Sequence, residues 1–258
     1  METLIWKLTL VPVLIATVTL VGRRFGQSVA GWLGSFPIVV GPILWVLTLE
    51  QGGSFLAQAA VAALAGVLPA MVFFVMYARA ALHGSWLRSL GVSLAGWLLA
   101  VMLIGGWQQY AEMGWPTALG LAVLALATAP RWMPGSAPVV FSRTHPLELP
   151  ARMLAGVLVT LISSELGRVG GAAVSGYASL FPSVGIIVAS FNHAQLGPMA
   201  AIHFLKGMTF GMWSVASFCL VLALVGEGWG LSAFALAAAV AVATHAVNRW
   251  RQRRSAGD

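Results

Sequence analysis

Nitrogen-bearing side chains gather between positions 192 and 206 of this 258-residue chain. Asn192 and His193 follow one apolar segment, while His203 and Lys206 are three positions apart and so share one face of a helix. Their amide, imidazole and ammonium groups all donate hydrogen bonds, and Lys206 lies deep in an apolar segment, where an uncompensated charge is costly. We predict that these four residues bind an anionic group of a substrate. The alternative for Lys206 is a structural pairing with a carboxylate, and for His193 a hydrogen-bonded position at the membrane interface.

Two arginines and two glutamates are candidates for gating or for proton coupling. Arg23 and Arg168 each follow a glycine, whereas Glu50 and Glu165 lie near the ends of apolar segments. Each also has a purely structural interpretation. Arg23 is then a cytoplasmic anchor, Arg168 pairs with Glu165 at i, i+3, and the glutamates are solvated boundary residues. His193 adds a group that titrates near neutral pH.

The sequence contains no recognisable catalytic motif. It has no Walker loop, no dinucleotide fingerprint and no HExxH zinc motif. Ser163 and Ser164 have no His and Asp partners that the sequence identifies, and the single cysteine, Cys219, lies in an apolar run. We therefore expect the protein not to be an enzyme, and we expect neither a cofactor nor a metal site.

The amino-acid composition indicates whether these residues lie in a soluble protein or in a membrane protein. Hydrophobic residues make up 59% of the chain and charged residues 8%, and the mean hydropathy is +0.90. A soluble protein has about 25% charged residues, so this chain cannot cover a globule with polar surface. We predict an all-α integral membrane protein. The net charge of +7 then reflects membrane topology, and nucleic acid is not an expected partner.

Nine apolar segments are candidates for helices that cross the bilayer. They cover residues 4–21, 29–49, 55–78, 86–107, 113–133, 150–163, 172–191, 198–225 and 229–247. With the C-terminus in the cytoplasm, 11 of the 14 Lys and Arg residues fall on the cytoplasmic side, as the positive-inside rule requires. We predict a multi-pass protein of the bacterial cytoplasmic (inner) membrane, with its N-terminus outside.

The chain contains one signature twice, 145 residues apart. Segments 22–37 and 167–182 share seven identities, at Gly22, Arg23, Gly26, Val29, Gly31, Phe36 and Pro37 of the first copy. Four predicted spans belong to each copy and the fifth is unpaired, so the second copy must be inverted in the membrane. A duplication retained only for packing is the alternative.

The repeat predicts the domain organisation. Residues 1–110 form a first membrane repeat, 111–149 a linker helix with a cytoplasmic loop, and 150–258 a second, inverted repeat with a basic tail. Two inverted four-helix repeats joined by a linker helix are thus the expected architecture.

Proline interrupts the second and the seventh predicted spans at equivalent positions. Pro37 and Pro182 each lack the backbone N–H that a continuous helix needs. Interrupted helices at matching positions of two repeats indicate a shared substrate site. We predict that Pro37, Pro182 and the neighbouring Ser183 line this site. Simple kinks that shape packing are the alternative.

Two short motifs in the second half resemble a known family. Residues 180–183 read LFPS and residues 211–214 read GMWS, which is similar to the GlpM-type family of small bacterial membrane proteins. The resemblance covers about residues 150–247, and the first half has no counterpart of the second motif. It implies that the chain is a fused pair of four-span units, and it implies no functional residue.

The expected function is secondary transport of a small anionic or amphiphilic solute, with proton coupling through His193 or a glutamate. The alternative is a flippase or scramblase for a lipid or polyprenyl phosphate, and an intramembrane enzyme has little support. Expected partners are membrane lipids and the small-molecule substrate, and self-association as a homo-oligomer is left open. The sequence does not identify the substrate, the coupling ion or the direction of transport.

Overall fold

The computed structural model describes residues 2–37, 39–108, 110–136, 147–169 and 171–255. Side chains are described within these ranges except at residues 2–11, 160, 162–169 and 251–255. The described chain consists of helices and short turns and contains no strand. The predicted all-α fold is therefore confirmed.

Eleven α-helices and one short 3-10 helix make up the described part of the chain. They are α1 (Glu2–Phe25), α2 (Gln27–Gly34), α3 (Val40–Gln51), α4 (Gly53–Ala81), α5 (Trp86–Gln108), α6 (Trp115–Trp132), α7 (Glu148–Val169), α8 (Gly171–Ser179), α9 (Ser183–Leu196), α10 (Pro198–Trp229), the 3-10 helix Gly230–Ser232 and α11 (Ala233–Ser255). Each of the nine apolar segments is helical, and the second and the seventh are each divided into two helices.

Four helical stretches are long and apolar enough to cross a membrane. They are Gly53–Ala81, Trp86–Gln108, Gly171–Leu196 and Pro198–Trp250. Large apolar side chains also remain exposed along α5, among them Leu99, Met102 and Leu103. Such a surface is unfavourable in water and suits a hydrocarbon environment. The chain therefore has the properties of a multi-pass membrane protein.

Helices α4 and α10 pack against each other at the centre of the molecule, and α6 packs against both. Small buried residues let the short helices approach them: Ala59 and Ala63 of α4 lie against Gly176 of α8, and Gly207 and Gly211 of α10 lie against α2. Small residues let helix backbones approach closely, which is how helices associate where lipid removes the hydrophobic driving force.

The helix boundaries at Gly52 and Gly197 are 145 residues apart, which is the spacing of the sequence repeat. Helices α3 and α9 end one residue before Gly52 and Gly197, and α4 and α10 begin one residue after them. Both glycines have a positive φ, 87° and 88° respectively, which side-chain-bearing residues rarely adopt. Helix α6 falls outside this correspondence.

The two short helices α2 and α8 pack in a reciprocal manner. Gly31 of α2 lies against the backbone of α10 at Phe204, and Gly176 of α8 lies against the backbone of α4 at Ala59. Gly31 and Gly176 are 145 residues apart, and so are Ala59 and Phe204. The short helix of each half therefore packs on the long helix of the other half.

Candidate functional site

Two helix breaks form the centre of the candidate site. Helix α2 ends at Gly34 and α8 ends at Ser179, and a new helix follows a short non-helical stretch in each case. Pro37 and Pro182 lie in these stretches, where the missing N–H and the ring of proline stop a helix. The breaks predicted at the two prolines are therefore present.

Both breaks line one cavity. Ser35 and Pro37 contribute from the first break, and Ser179, Pro182 and Ser183 contribute from the second. Although the breaks are 145 residues apart in sequence, they meet in space, as the predicted shared site requires.

The walls of the cavity are apolar. Phe74 from α4 and Met208 and Met212 from α10 complete it, and no charged residue lines it among the described part of the chain. Its volume of about 60 Å³ holds a few water molecules, since one water needs about 10–15 Å³ of such space. A larger solute requires the surrounding helices to move apart.

Helix termini give the cavity its polarity. Helices α3 and α9 begin at its edge, and α2 and α8 end there. Partial positive charge at the two N-termini favours anions, whereas the C-termini favour cations. The hydroxyls of Ser35 and Ser179 each donate to a carbonyl oxygen of their own helix, at 2.7 Å, so each hydroxyl oxygen remains able to accept.

A charged cluster lies at one end of α1, α7 and α9. Glu148, the first residue of α7, receives Nη2 of Arg23 at 2.9 Å and also pairs with Nη2 of Arg152, one turn further along α7. The side chains of Glu148 and Arg152 are 1% and 2% exposed, whereas that of Arg23 is 28% exposed. Two cations thus surround one buried carboxylate.

Three amides extend this cluster. Nη1 and Nη2 of Arg152 both donate to Oδ1 of Asn192 at 3.0 Å, and Nδ2 of Asn192 donates to Oε1 of Gln27 at 2.7 Å. Gln195, with its amide nitrogen turned towards Glu148, donates to both carboxylate oxygens at 2.8 and 3.0 Å. We call Arg23, Gln27, Glu148, Arg152, Asn192 and Gln195 the polar cluster.

Polar side chains continue from the cluster towards the cavity. Ser190 lies on α9 between Asn192 and the cavity-lining Ser183, and the Tyr77 hydroxyl meets the Ser190 hydroxyl at 3.5 Å. His193 is buried with its ring centroid 6.1 Å from that of Tyr77. The polar groups of α9 thus lie at Asn192 and Ser190 on the cluster side and at Ser183 on the cavity side, and the apolar residues 184–189 separate Ser190 from Ser183 by roughly 10 Å, about seven residues at 1.5 Å each.

His203 and Lys206 lie away from the cavity. As predicted, they share one face of α10, but this face is half-exposed, and the cavity is lined from the other side by Met208 and Met212. His203 Nδ1 meets the Ser136 hydroxyl at 3.1 Å. Among the described side chains, Lys206 forms neither an ion pair nor a hydrogen bond with Asn192 or His193. Its role in anion binding stays a prediction.

The predicted gating residues have separate environments. Arg23 forms its ion pair with Glu148, a partner that the sequence analysis did not identify. Glu50 is exposed near the end of α3. The side chains of Glu165 and Arg168 lie outside the described residues, so their predicted pairing stays a prediction.

Sequence reasoning missed Gln27, Glu148 and Arg152. Arg152 was counted only among the 11 basic residues of the cytoplasmic side, whereas it is a buried member of an ion pair. Glu148 fell in the predicted loop, whereas it begins α7. The i, i+4 spacing of Glu148 and Arg152 at the start of an apolar segment was the available signal.

The polar groups are unequally divided between the two halves. At the 145-residue offset, Asn192 corresponds to Leu47 and Tyr77 corresponds to Leu222. Gln27 likewise corresponds to Ala172. The backbone breaks are thus repeated and these three polar residues have apolar counterparts, whereas Arg23, Arg152 and Gln195 correspond to the polar residues Arg168, Lys7 and Glu50.

Neither a family model, nor a curated protein, nor a solved structure matches this chain. The similarity of the second half to GlpM-type proteins therefore stays a prediction.

Proposed function

We propose that the protein is a secondary transporter of a small anionic or amphiphilic solute. The solute binds at the cavity between the two helix breaks, and the protein alternates between states that open this cavity to one side or the other. The single observation that carries the proposal is that Pro37 and Pro182, at equivalent positions of the sequence repeat, line one cavity. Interrupted helices that meet in this way are typical of transporter binding sites.

The proposed architecture is a pair of inverted repeats with nine membrane crossings. Reciprocal packing supports the two-fold relation: Gly31 contacts Phe204 as Gly176 contacts Ala59, and only a two-fold axis relates equal surfaces in this way. Each proposed repeat crosses the membrane four times, and the unpaired helix α6 adds one crossing between them. The second repeat therefore begins on the opposite side of the membrane from the first, so it is inverted and the two-fold axis lies in the membrane plane.

Basic residues give the proposed orientation. Arg131 at the end of α6 and Arg249 near the end of α11 belong to the cytoplasmic side, as do Arg23 and Arg24 at the end of α1. The polar cluster lies at that same end, so it separates the cavity from the cytoplasm. Parting of α2 from α9 at Gln27 and Asn192 opens the cytoplasmic route.

The preference for an anion rests on the polar cluster, which contains two arginines for one glutamate. This surplus places positive potential along the cytoplasmic route. At the cavity the N-termini of α3 and α9 lie beside the C-termini of α2 and α8, so the helix dipoles give no preference for an anion there. Proton coupling through His193 remains part of the proposal because His193 is buried beside this route.

Cysteine labelling tests alternating access without knowledge of the solute. Cys219 is buried, so Cys219→Ala gives a background without cysteine, to which Ser183→Cys adds a thiol at the cavity. A charged, membrane-impermeant thiol reagent is applied to right-side-out and to inverted vesicles. We expect labelling from both sides, and solutes that protect the thiol identify the substrate class. Ser93→Cys, buried on α5 away from the cavity, is the matched control and is expected to stay unlabelled.

A Ser183→Cys variant that is labelled from neither side overturns the proposal, because the cavity is then only a packing defect. Labelling from one side alone also contradicts alternating access. The unlabelled Ser93→Cys control shows that the reagent does not reach thiols buried elsewhere in the protein, and a thiol on the exposed surface, at Ser232→Cys, shows that the reagent is active.

Lipid flipping is the second candidate, and the apolar cavity walls favour it. A chain-bearing phosphate places its chain against residues such as Phe74 and Met212 and its head group at the polar cluster. Proteoliposomes with a head-group-labelled fluorescent phospholipid distinguish the two functions. Complete quenching by an impermeant reductant indicates flipping, whereas quenching of the outer half alone, as in liposomes without protein, contradicts lipid flipping.

A further inference from the structure

The Glu148 carboxylate is surrounded by charged and amide donors, as an anion is in a binding site. Its carboxylate lies between guanidinium groups from two helices, Arg23 of α1 and Arg152 of α7. The Gln195 amide donates to it from α9. Charged and amide donors arranged on three helices around a planar carboxylate are the chemistry by which proteins recognise carboxylate and phosphate groups.

The cluster has more donors than this carboxylate uses. In the described part of the chain, Nε of Arg23 and Nε of Arg152 are buried without a hydrogen-bond partner. The ion pairs also leave one positive charge in excess, because Glu148 is the only acidic partner of both arginines among the described residues. A buried cation surplus with unused donors favours an anion that offers more acceptor oxygens or more charge than the Glu148 carboxylate, such as phosphate.

A purely structural role explains these contacts poorly. A buried ion pair does not in general stabilise a protein relative to apolar residues of the same volume, because desolvation offsets the attraction. Here Glu148 and Arg152 are fully buried and Arg23 is partly buried beside them. At the repeat-related positions the amide partners are apolar, Leu47 for Asn192 and Ala172 for Gln27, whereas a basic residue is kept for each arginine, Arg168 for Arg23 and Lys7 for Arg152.

We infer that Arg23 and Arg152 form an oxyanion-binding site that Glu148 occupies in the closed protein. A carboxylate or phosphate group arriving from the cytoplasmic side displaces Glu148 and so loosens the contact between α1 and α7. The partly exposed side chain of Arg23 provides the route of access. The inference rests on the proposed function and deepens it, since it assigns the anionic group of the solute to these two residues.

Chemical rescue of a Glu148 variant tests the site. In Glu148→Ala the carboxylate is removed and a space remains between the two guanidinium groups, which acetate or inorganic phosphate can fill. Thermal unfolding of the purified full-length protein in detergent is followed against anion concentration at constant ionic strength. We expect a saturable rise in the melting temperature, with an affinity for acetate about tenfold higher than that of the unsubstituted protein.

Two matched variants make the result specific. Glu50→Ala removes an exposed carboxylate of the other half and is expected to gain no anion response. Adding Arg152→Gln to Glu148→Ala removes half of the proposed site and is expected to abolish the saturable rise. Should Glu148→Ala fail to fold, Glu148→Ser also leaves a space between the guanidinium groups and suits the start of a helix, and the same titration is made on it.

The outcomes separate this inference from the proposed function. A folded Glu148 variant without an anion response overturns the oxyanion site, even where the Ser183→Cys variant is labelled from both sides. Anion rescue without labelling keeps the site and overturns transport. Phosphatidate micelles are titrated in parallel with inorganic phosphate to distinguish a lipid head group from a free solute. A site for a lipid head group responds more strongly to the micelles than to phosphate, whereas a site for a free solute does not.

Discussion

Gly31 and Gly176, 145 residues apart, occupy equivalent positions against the long helix of the opposite half. A Cβ atom at either position would overlap a backbone carbonyl oxygen, that of Phe204 for Gly31 and that of Ala59 for Gly176. Because backbone cannot move aside as a flexible side chain can, both contacts require glycine. The interface between the halves therefore requires a residue without a Cβ atom at each of these two positions.

Alanine at either glycine is expected to destabilise the protein. We predict that Gly31→Ala and Gly176→Ala each lower the free energy of unfolding by about 3 kcal/mol, the upper part of the range for overpacking. Gly91→Ala on α5 is the matched control, since a Cβ there has nothing within 4 Å. Thermal unfolding in detergent measures the difference. Equal melting temperatures for Gly31→Ala and Gly91→Ala would contradict the close approach.

The two termini are expected on opposite sides of the membrane. Nine crossings, with most basic residues in the cytoplasm, place the N-terminus outside and the C-terminus inside. A reporter that is active only in the cytoplasm and one that is active only outside, each fused to both ends, measure this directly. Finding both termini on the same side of the membrane would contradict both the odd number of spans and the inversion of the second repeat.

Arg152 is expected to matter more for function than Lys206. Lys206 lies on the half-exposed face of α10, whereas Arg152 is buried in the polar cluster. Uptake is measured with a solute that protects the Ser183→Cys variant from labelling, in vesicles with matched amounts of monodisperse protein. We predict that Lys206→Met changes this uptake only a few-fold, whereas Arg152→Met reduces it more than about tenfold, roughly 1.4 kcal/mol. Loss of uptake in Lys206→Met but not in Arg152→Met would instead support the prediction that Lys206 is the anion ligand.

His245 is expected to be replaceable by phenylalanine with a gain in stability. Its ring stacks on Trp32 at 3.7 Å, and both ring nitrogens are buried without a partner among the described residues. Phenylalanine keeps the stacking and removes the unsatisfied groups, so His245→Phe should stabilise the protein by about 1–3 kcal/mol. Thermal unfolding measures this change. A loss of stability would instead indicate a bound water or ligand on His245.

The elements of this fold follow closely from local sequence. Apolar segments of suitable length predicted the helices, and the two helix breaks followed from Pro37 and Pro182 because proline cannot continue a backbone ladder. These features are readable because each depends on residues adjacent in the chain.

The partners within the candidate site were not readable in the same way. Asn192 was predicted to bind a ligand with Lys206, but its hydrogen-bond partners are Arg152 and Gln27, 40 and 165 positions away. Such contacts depend on how α2, α7 and α9 assemble, and hydropathy does not encode that arrangement. An arginine beside an apolar segment looks the same in sequence whether it anchors to lipid head groups or turns inward.

The uneven distribution of polar residues between the halves has a kinetic consequence for a carrier built in this way. Gln27 and Asn192 lie on the proposed cytoplasmic approach to the cavity, whereas Ala172 and Leu47 occupy the repeat-related positions. The solute then meets different binding free energies at its two entrances, so the half-saturation concentrations on the two faces differ. For passive carriage, equilibrium fixes the same ratio of maximal rate to half-saturation concentration in both directions. The face with the higher apparent affinity must therefore also be the face with the lower maximal rate.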